Sequence, residues 1–304
     1  MSSPYGRLVL IANPRAGRGA MAAALPKIQA ALRAERLDHR VALTTGPGHA
    51  ARLAAEALRS GERFVVAAGG DGTVHEVVNG MVRQDRVVAD AVLGVVPYGS
   101  GCDFVRTLDI PGDPVRACHR LAGDTVRAID IGKVAYHVDG GTAVRYFANI
   151  AEAGLGAAVA GTAARLPAAL GPARYFVAVW MVLPGLRRTA VRAEVDGTVA
   201  ASRPLNVVVA NGRYFGGGMQ ISPKSRADDG LLDLLVLIGP KSDAFAVVPR
   251  VYRGTHLPHR NIMELQGRRI VIDTETPLPV EADGELLGTT PATFDVLPRL
   301  VTVK

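Results

Sequence analysis

The string GGDGTVHEVVNG, from Gly69 to Gly80, carries the strongest chemical signal in the chain, and it directly follows the apolar run RFVVAA. Glycines let a phosphate approach the backbone, and a helix beginning near Thr73 offers free N–H groups and the positive end of its dipole. Asp71 then lies where a carboxylate could hold Mg²⁺ or orient an attacking hydroxyl. A lone D-G-T is also typical of an N-capped turn, but the full string favours polyphosphate binding.

A second turn, NPRAGRG, is a weaker phosphate-binding signal. Asn13 could bond a nucleotide, and Gly17 and Gly19 leave the backbone open to phosphate. With Ala22 these glycines nearly match the dinucleotide-binding pattern G-x-G-x-x-A. The acid expected at the end of the second strand is replaced by threonines, and no G-x-x-x-x-G-K-[ST] occurs in the chain. A Rossmann dehydrogenase and a P-loop enzyme are therefore disfavoured.

Acidic residues in the second half of the chain also lie beside glycines. Asp228 and Asp233 follow the triple glycine of NGRYFGGGMQISPKSRADDGLLD, and Asp283 and Glu285 flank Gly284 in VEADGELLG. Two carboxylates facing a phosphate suit a metal ligand and a general base. A D-G-E by itself would first be interpreted as an ordinary hairpin turn, so both interpretations stay open at this point.

The elements that must position these residues change character along the chain. Four strand-helix units run from about residue 7 to 123, and each glycine-rich turn falls after a strand, which predicts a parallel α/β sheet with ligands at its carboxyl edge. Beyond about Asp124 the runs are mostly strand-like. We therefore predict an α/β protein with two domains, 1–128 and 129–304. The C-terminal segment is expected to be able to return to the first.

Residues 154–188 interrupt the β-rich half with two predicted short helices, separated by prolines. The second, from Pro172 to Leu183, is apolar on nearly every face. Burial in the core is the interpretation that we favour for it. The alternative is a helix facing lipid, with Trp180, Arg187 and Arg188 near a membrane surface.

Composition limits the classes of function. A chain of 304 residues with two cysteines suits two domains in a reducing compartment, and we expect a cytoplasmic protein. Its apolar runs are too short to span a bilayer, so membrane contact is expected to be peripheral. Residues 131–227 hold 11 Lys and Arg against 4 Asp and Glu, an excess typical of a solvated surface or of attraction to anionic lipid. Nucleic acid is disfavoured, because no aromatic-basic interleaving or zinc-finger spacing occurs.

Taken in order, NPRAG, GGDGTVHEVVNG, PYGSGCDFVR, NGRYFGGGMQISP with DDGLLD, and VEADGE resemble the diacylglycerol kinase catalytic-domain family of lipid kinases, which includes sphingosine and ceramide kinases. The resemblance covers residue 7 to about 300. G-G-D-G-T also occurs in NAD kinases, but the D-G-E and the NGRYFGGG string favour the lipid branch.

This resemblance implies an N-terminal parallel α/β nucleotide-binding domain like that of NAD kinases. It also implies a C-terminal, mostly antiparallel β-sandwich-like domain, with ATP in the cleft between them. Asp71 or Glu285 is the expected base, with Asp283 beside them, and Mg²⁺ is expected at Asp71 and Asp283. A second, structural metal near Asp228 and Asp233 is a weaker prediction. The implied nucleotide contacts are Asn13, Gly17, Thr45, Gly70, Gly72, Thr73, Glu76, Gly99, Ser100 and Gly284.

One departure from the family matters, because relatives usually carry Thr and Asn where this chain has Ser100 and Cys102. Serine keeps the hydroxyl, but cysteine lacks the amide that could bond a nucleotide or brace the loop. The expected activity is phosphorylation of a lipid hydroxyl at a membrane surface. A kinase for a soluble hydroxyl acceptor and a non-catalytic nucleotide- or lipid-binding regulator are the alternatives, and the oligomeric state, a homodimer included, is left open.

Overall fold

The computed structural model describes residues 3–99, 101–171 and 173–304. Ser100, one of the predicted nucleotide contacts, therefore lies outside the described residues. Contacts divide the chain into two compact units. The first comprises Met1–Asp130 with Arg299–Lys304, and the second comprises Ile131–Pro298.

The apolar runs of the first unit form a parallel sheet in the strand order β4, β3, β1, β2. Its strands are β1 (Leu8–Ala12), β2 (His39–Leu43), β3 (Phe64–Gly69) and β4 (Val92–Pro97). Every residue of β1, β3 and β4 is buried, as expected for strands covered on both faces. Thr302 and Val303 add a further parallel strand beside β4. The predicted parallel α/β architecture is confirmed.

In the part of this unit that the structure describes, five α-helices connect and cover these strands: α1 (Ala20–Ala34), α2 (His49–Arg59), α3 (Asp71–Met81), α4 (Asp103–Thr107) and α5 (Pro114–Ala122). Helices α1 and α5 share a core with one face of the sheet, through residues such as Leu32, Leu121 and Phe64. Helices α2 and α3 pack against each other.

The second unit is mostly antiparallel sheet, as predicted. Strand β5 (Arg127–Val138) starts in the first unit and continues into the second. Nine further described strands lie wholly in the second unit: β6 (Gly141–Phe147), β7 (Ile150–Gly154), β8 (Val191–Val195), β9 (Thr198–Ser202), β10 (Asn206–Ala210), β11 (Leu232–Leu237), β12 (Ile262–Gly267), β13 (Arg269–Thr274) and β14 (Pro279–Ala282). Strand β15 (Glu285–Val303) starts in the second unit and ends in the first. One run of neighbours is β12, β11, β10, β7, β14 and β15, and β8 pairs with both β9 and β13.

The core of this second unit is built from inward-facing side chains of many strands. Val134, Val207, Leu234 and Ile270 are fully buried members of one cluster. Within it, the rings of Phe147 and Phe294 meet edge to face at 6.3 Å, an arrangement that aromatic pairs favour. Side chains from β5, β10, β11 and β13 thus share one apolar layer.

Among the described residues, the second unit has three α-helices: α6 (Leu155–Arg165), α7 (Ala173–Val182) and α8 (Asp243–Val251). The two short helices expected between 154 and 188 are confirmed as α6 and α7. The interpretation of the second as a core helix is wrong, because Phe176 and Met181 of α7 are 40% and 58% exposed. In the described part of the chain, no helix combines the length and the apolar character needed to cross a bilayer.

Candidate active site

The carboxyl edge of the parallel sheet gathers the predicted nucleotide contacts of the first unit. Asn13 follows β1, Thr45 lies just beyond β2, Gly70 follows β3 and Gly99 lies just beyond β4. Ligands of open α/β sheets bind at this edge. Strand order therefore gathers residues that are up to 86 positions apart in the sequence.

Two glycines are required where these turns approach each other. A Cβ on Gly99 would lie 2.8 Å from the Cα of Gly70, and a Cβ on Gly17 would lie 2.9 Å from the ring of Tyr98. Gly17 also has a φ of +58°, a conformation that side chains strain. The backbone N–H of Tyr98 donates to the carbonyl of Gly69 at 2.8 Å. The three turns therefore form one closely packed backbone surface.

Asp71 is the first residue of α3, and its Oδ1 accepts the backbone N–H of Phe104 at 3.0 Å. This bond ties the GGDGT turn to the segment after β4. The α3 N-terminus, which begins immediately after the two glycines, supplies the N–H groups and dipole that favour anions. The arrangement can bind a phosphate chain and place one carboxylate beside it.

Asn13 and Thr73, two further predicted contacts, lie next to each other. The Nδ2 of Asn13 is 3.5 Å from the Oγ1 of Thr73, and its Oδ1 accepts the N–H of Arg15 at 3.0 Å. Thr73 is buried, and a Cβ on Gly69 would overlap its side chain. The amide of Asn13 thus fixes both the NPRAG turn and the start of α3.

Cys102 stands in the left-handed conformation, with φ +56°, at the start of α4. Asn tolerates this conformation better than most residues, which is a structural reason for the Asn that the family resemblance implies at this position. The Sγ of Cys102 donates to the carbonyl of Gly99 at 3.5 Å, and burial raises the pKa of the thiol to about 11. A protonated thiol is a poor nucleophile, so the cysteine is a packing substitute in this loop.

Glu76, predicted to lie beside ATP, connects α3 to the start of α2. Its two carboxylate oxygens accept the backbone N–H groups of Gly48 and Ala50 at 2.8 and 2.9 Å. Thr45, just before this segment, bonds the Nδ1 of His49 through its own N–H at 3.0 Å. Glu76 therefore caps α2 and sets the position of the loop that contains Thr45.

Replacing Glu76 with alanine is expected to lower the free energy of unfolding by about 2 kcal/mol, because two N–H groups at the start of α2 lose their acceptor. Glu76→Gln keeps one acceptor oxygen and should lose less. Urea unfolding followed by circular dichroism measures both changes. An exposed glutamate without such bonds, Glu56, provides the control in Glu56→Ala; equal stability of the Glu76 and Glu56 variants would contradict the capping role.

In the second unit, Asp283 and Gly284 form the two-residue turn between β14 and β15, with φ values of +50° and +89°. Asp-Gly is the preferred pair for such hairpins. The Asp283 carboxylate accepts the N–H groups of Ala148, Asn149 and Ile150 at 2.9 to 3.2 Å. It therefore fixes the connection between β6 and β7 to this turn, in addition to the predicted catalytic and metal roles.

Glu285 differs from Asp283 because its side chain is exposed and no hydrogen bond or ion pair holds it within the part of the chain that the structure describes. A general base must be able to reach a hydroxyl proton. Of Asp283 and Glu285, Glu285 therefore suits the role of base better.

The remaining predicted metal ligands have protein partners. Asp233 Oδ2 accepts from the Ser225 hydroxyl at 2.5 Å, and burial raises the pKa of Asp233. Asp228 lies 3.5 Å from Arg226. Residues 3–99, 101–171 and 173–304 contain no group of three His, Cys, Asp or Glu side chains that could hold a metal. Mg²⁺ often binds through one carboxylate together with substrate phosphates, so Asp71 alone fits a metal that arrives with a nucleotide.

Sequence reasoning missed a buried polar chain in the second unit, formed by Glu152, Glu281 and Asn206. All three side chains are at most 6% exposed. Asn206 Nδ2 donates to Glu152 Oε1 at 2.6 Å, and Glu281 Oε2 accepts the N–H of Gly284 at 2.8 Å. A usable sequence signal existed, because each glutamate interrupts an otherwise apolar strand, in IAEAG and in PVEA.

Comparison with known proteins places both halves of the chain in one class. Residues 7–134 match the family model described as the diacylglycerol kinase catalytic domain, and residues 149–304 match the YegS C-terminal NAD kinase beta sandwich-like domain. The order of an α/β unit followed by a β-rich unit agrees with these two matches.

Relatives that match almost the whole chain indicate the same family. The diacylglycerol kinase of Bacillus subtilis (strain 168) is 31% identical over 98% of this chain and 95% of its own length. That of Staphylococcus haemolyticus (strain JCSC1435) is 29% identical over 97% and 86%. A solved diacylglycerol kinase structure from Bacillus anthracis str. Sterne, 26% identical, superposes with a TM-score of 0.76 over 99% and 97% of the two chains. The chain belongs to the diacylglycerol kinase family.

Proposed function

We propose that this protein transfers the γ-phosphoryl group of ATP to the hydroxyl of a lipid, with diacylglycerol as the first candidate acceptor. The observation that carries the proposal is an apolar pocket in the second unit. It lies between the sheet and the three helices, lined by Val159 of α6, Val179 of α7, Val247 of α8 and Leu237 of β11. Transfer of a hydrocarbon chain from water into such an apolar lining is favourable.

The pocket takes part of a chain in the conformation described. Its free volume of about 100 Å³ is below the ~150 Å³ of an apolar cavity that holds benzene. A complete acyl chain therefore requires α7 and α8 to move apart. This movement would separate the rings of Trp180 on α7 and Phe245 on α8, whose centroids lie 4.6 Å apart.

The reaction makes one bond between the acceptor oxygen and the γ-phosphorus and breaks the bond from that phosphorus to the β-γ bridging oxygen, so ADP leaves. In our proposal the GGDGT turn and the α3 N-terminus bind the phosphates, and Asp71 orients the charged groups. The hydroxyl proton passes to a carboxylate, for which Glu285 is our first choice and Asp71 the second. Mg²⁺, when bound with ATP, would neutralise charge on the phosphates.

The direct test is transfer of radiolabelled γ-phosphate from Mg·ATP to diacylglycerol, monoacylglycerol, ceramide and sphingosine in mixed micelles, with NAD and simple sugars as soluble acceptors. We expect a labelled glycerolipid. Labelling of a soluble acceptor alone would replace the lipid by the soluble-acceptor alternative. ATP binding without any labelled product would favour a non-catalytic regulator.

We further propose that the protein meets its acceptor at an anionic membrane surface, through an aromatic face made of Phe176, Trp180, Met181 and Phe245. Phe245 is 70% exposed and stacks on Trp180 with ring centroids 4.6 Å apart. The sequence around this face, residues 165–188 and 239–260, carries 8 Lys and Arg against 1 Asp. Exposed aromatics with a basic surround are typical of interfacial membrane contact.

Phe245→Ser is expected to reduce binding to phosphatidylglycerol vesicles by about tenfold, because a largely exposed phenyl ring contributes roughly 1.5 kcal/mol when it enters the interface. Co-sedimentation at low and high salt measures the effect, and high salt should weaken the wild type too. Val199→Ser, at a position 49% exposed on β9, is the matched control. Equal binding by the two variants would rule out this face.

A further inference from the structure

The apolar pocket has a polar inner end. Among its lining residues are Glu152 and Asn206, which are 2% and 6% exposed. Burying such groups without hydrogen-bond partners costs free energy. The partners of both side chains therefore bear on what this end of the pocket can bind.

Those partners form a continuous chain of hydrogen bonds. The N–H of Gly156, near the start of α6, donates to Asn206 Oδ1 at 3.1 Å, and Asn206 Nδ2 donates to Glu152 Oε1 at 2.6 Å. Glu152 is hydrogen-bonded to Glu281, whose Oε2 accepts the N–H of Gly284 at 2.8 Å. The chain therefore runs from the pocket wall to the turn that carries Glu285.

Local structure makes room for this pair. Glu152 and Glu281 lie directly opposite each other on β7 and β14, so their side chains leave the same face of the sheet. A Cβ on Gly156 would lie 1.8 Å from Glu152 Oε2. The glycine at this position of α6 is therefore what admits the carboxyl group into the pocket wall.

We propose that Glu152 and Asn206 bind the polar head group of the lipid acceptor. Glu281 connects this contact to the Gly284 turn through its hydrogen bonds, and Glu281 is therefore a positioning residue of phosphoryl transfer. This inference rests on the proposed function and names the polar end of its acceptor site. The ligand is a lipid head bearing hydroxyl or ester oxygens. The remaining N–H of the Asn206 amide can donate to an ester carbonyl, and the Glu152 carboxyl group can accept from a hydroxyl.

Two pairs of variants separate positioning from general stability. In Glu281→Gln the amide donates to Glu152 and its oxygen still accepts from Gly284, so we expect kcat within about threefold of the wild type. Glu281→Leu removes both bonds and should lower kcat at least about tenfold, with KM for ATP unchanged. Glu152→Gln and Glu152→Leu should raise KM for the lipid by about fivefold and about 30-fold.

The assay uses the full chain with dioctanoylglycerol and, in a second arm, a short-chain amino alcohol, and it includes Glu194→Gln, a partly exposed carboxylate paired with Arg192, as the matched control. Trp180 is the single tryptophan of the chain and follows Val179 of the pocket wall, so its fluorescence reports lipid binding without turnover. A wild type that transfers to no lipid would refute the proposed function itself.

With an active wild type, Glu152 and Glu281 variants that match Glu194→Gln in lipid KM, kcat and fluorescence titration would overturn the inference. So would equal losses in Glu281→Gln and Glu281→Leu. Weaker titration by dioctanoylglycerol in Glu152→Gln supports the head-group contact even if the leucine variants fold poorly. Preference for the amino alcohol in the wild type would replace the ester by an ammonium head and overturn the proposed class of ligand.

Discussion

Asp71→Asn is expected to lower kcat for phosphoryl transfer by about 10²- to 10⁴-fold, the range for losing one charged group from a transferring site. That loss corresponds to roughly 3 to 5 kcal/mol of transition-state stabilisation. The substitution changes little else, because an asparagine Oδ1 can still accept the N–H of Phe104.

Stability is the smaller effect. Asp71 begins α3, where a negative charge interacts favourably with the helix dipole by about 0.3 to 1 kcal/mol. A folded variant with an unchanged unfolding midpoint and lost turnover therefore isolates the charge. We would measure initial rates with saturating lipid, ATP binding by calorimetry, and the unfolding midpoint on the same preparation.

Asp113→Asn is the matched control, since Asp113 caps α5 by accepting the N–H of Arg116 at 2.9 Å and asparagine caps equally well. Its activity should stay at the wild-type level. If Asp71→Asn keeps more than a tenth of wild-type turnover, Asp71 neither holds an essential charge nor acts as base, and Glu285→Gln becomes the variant expected to fail.

Gly80→Ala is expected to destabilise the protein by roughly 2 to 3 kcal/mol. Helix propensity alone predicts the opposite sign, since alanine favours a helix interior over glycine by about 0.8 to 1 kcal/mol. Packing outweighs propensity here because a Cβ on Gly80 would lie 2.1 Å from the carbonyl oxygen of Ala51. Backbone cannot rotate away as a side chain can.

The steric clash in Gly80→Ala is also expected to affect the candidate active site. Moving α2 away from α3 stretches the bonds between Glu76 and the start of α2, so weaker ATP binding should accompany the lower stability. Gly112→Ala is the control, because no atom lies within 4 Å of the added Cβ and a change within about 0.5 kcal/mol is expected. An unfolding midpoint equal to that control would show that α2 shifts freely.

Part of this structure follows from the sequence. Strand runs and glycine turns predict the parallel sheet and the gathering of Asn13, Gly70, Asp71 and Gly99 at its carboxyl edge, because both follow from periodicity and from turn chemistry. The Asp-Gly pair likewise predicts the β14–β15 hairpin.

Long-range partners do not follow from local pattern. The Asp283 carboxylate accepts backbone N–H groups that lie 133 to 135 residues earlier in the chain. The Glu76 carboxylate accepts N–H groups at the start of α2, and the position of α2 depends on its contact with Gly80. Helix α7 has the composition of a core helix, yet Phe176 and Met181 are exposed, because composition does not specify which faces find partners. Glu152 and Glu281 meet only through strand order.

Strands β5 and β15 both cross from one unit to the other, and residues 299–304 complete the first unit. The backbone N–H of Lys304 donates to the carbonyl of Leu93 at 2.9 Å, and that of Arg299 donates to Asp130 at 2.7 Å. During biosynthesis most of the first unit therefore emerges from the ribosome well before the strand that completes it. Its folding is finished only after the second unit has been made, so the first unit does not become complete on its own.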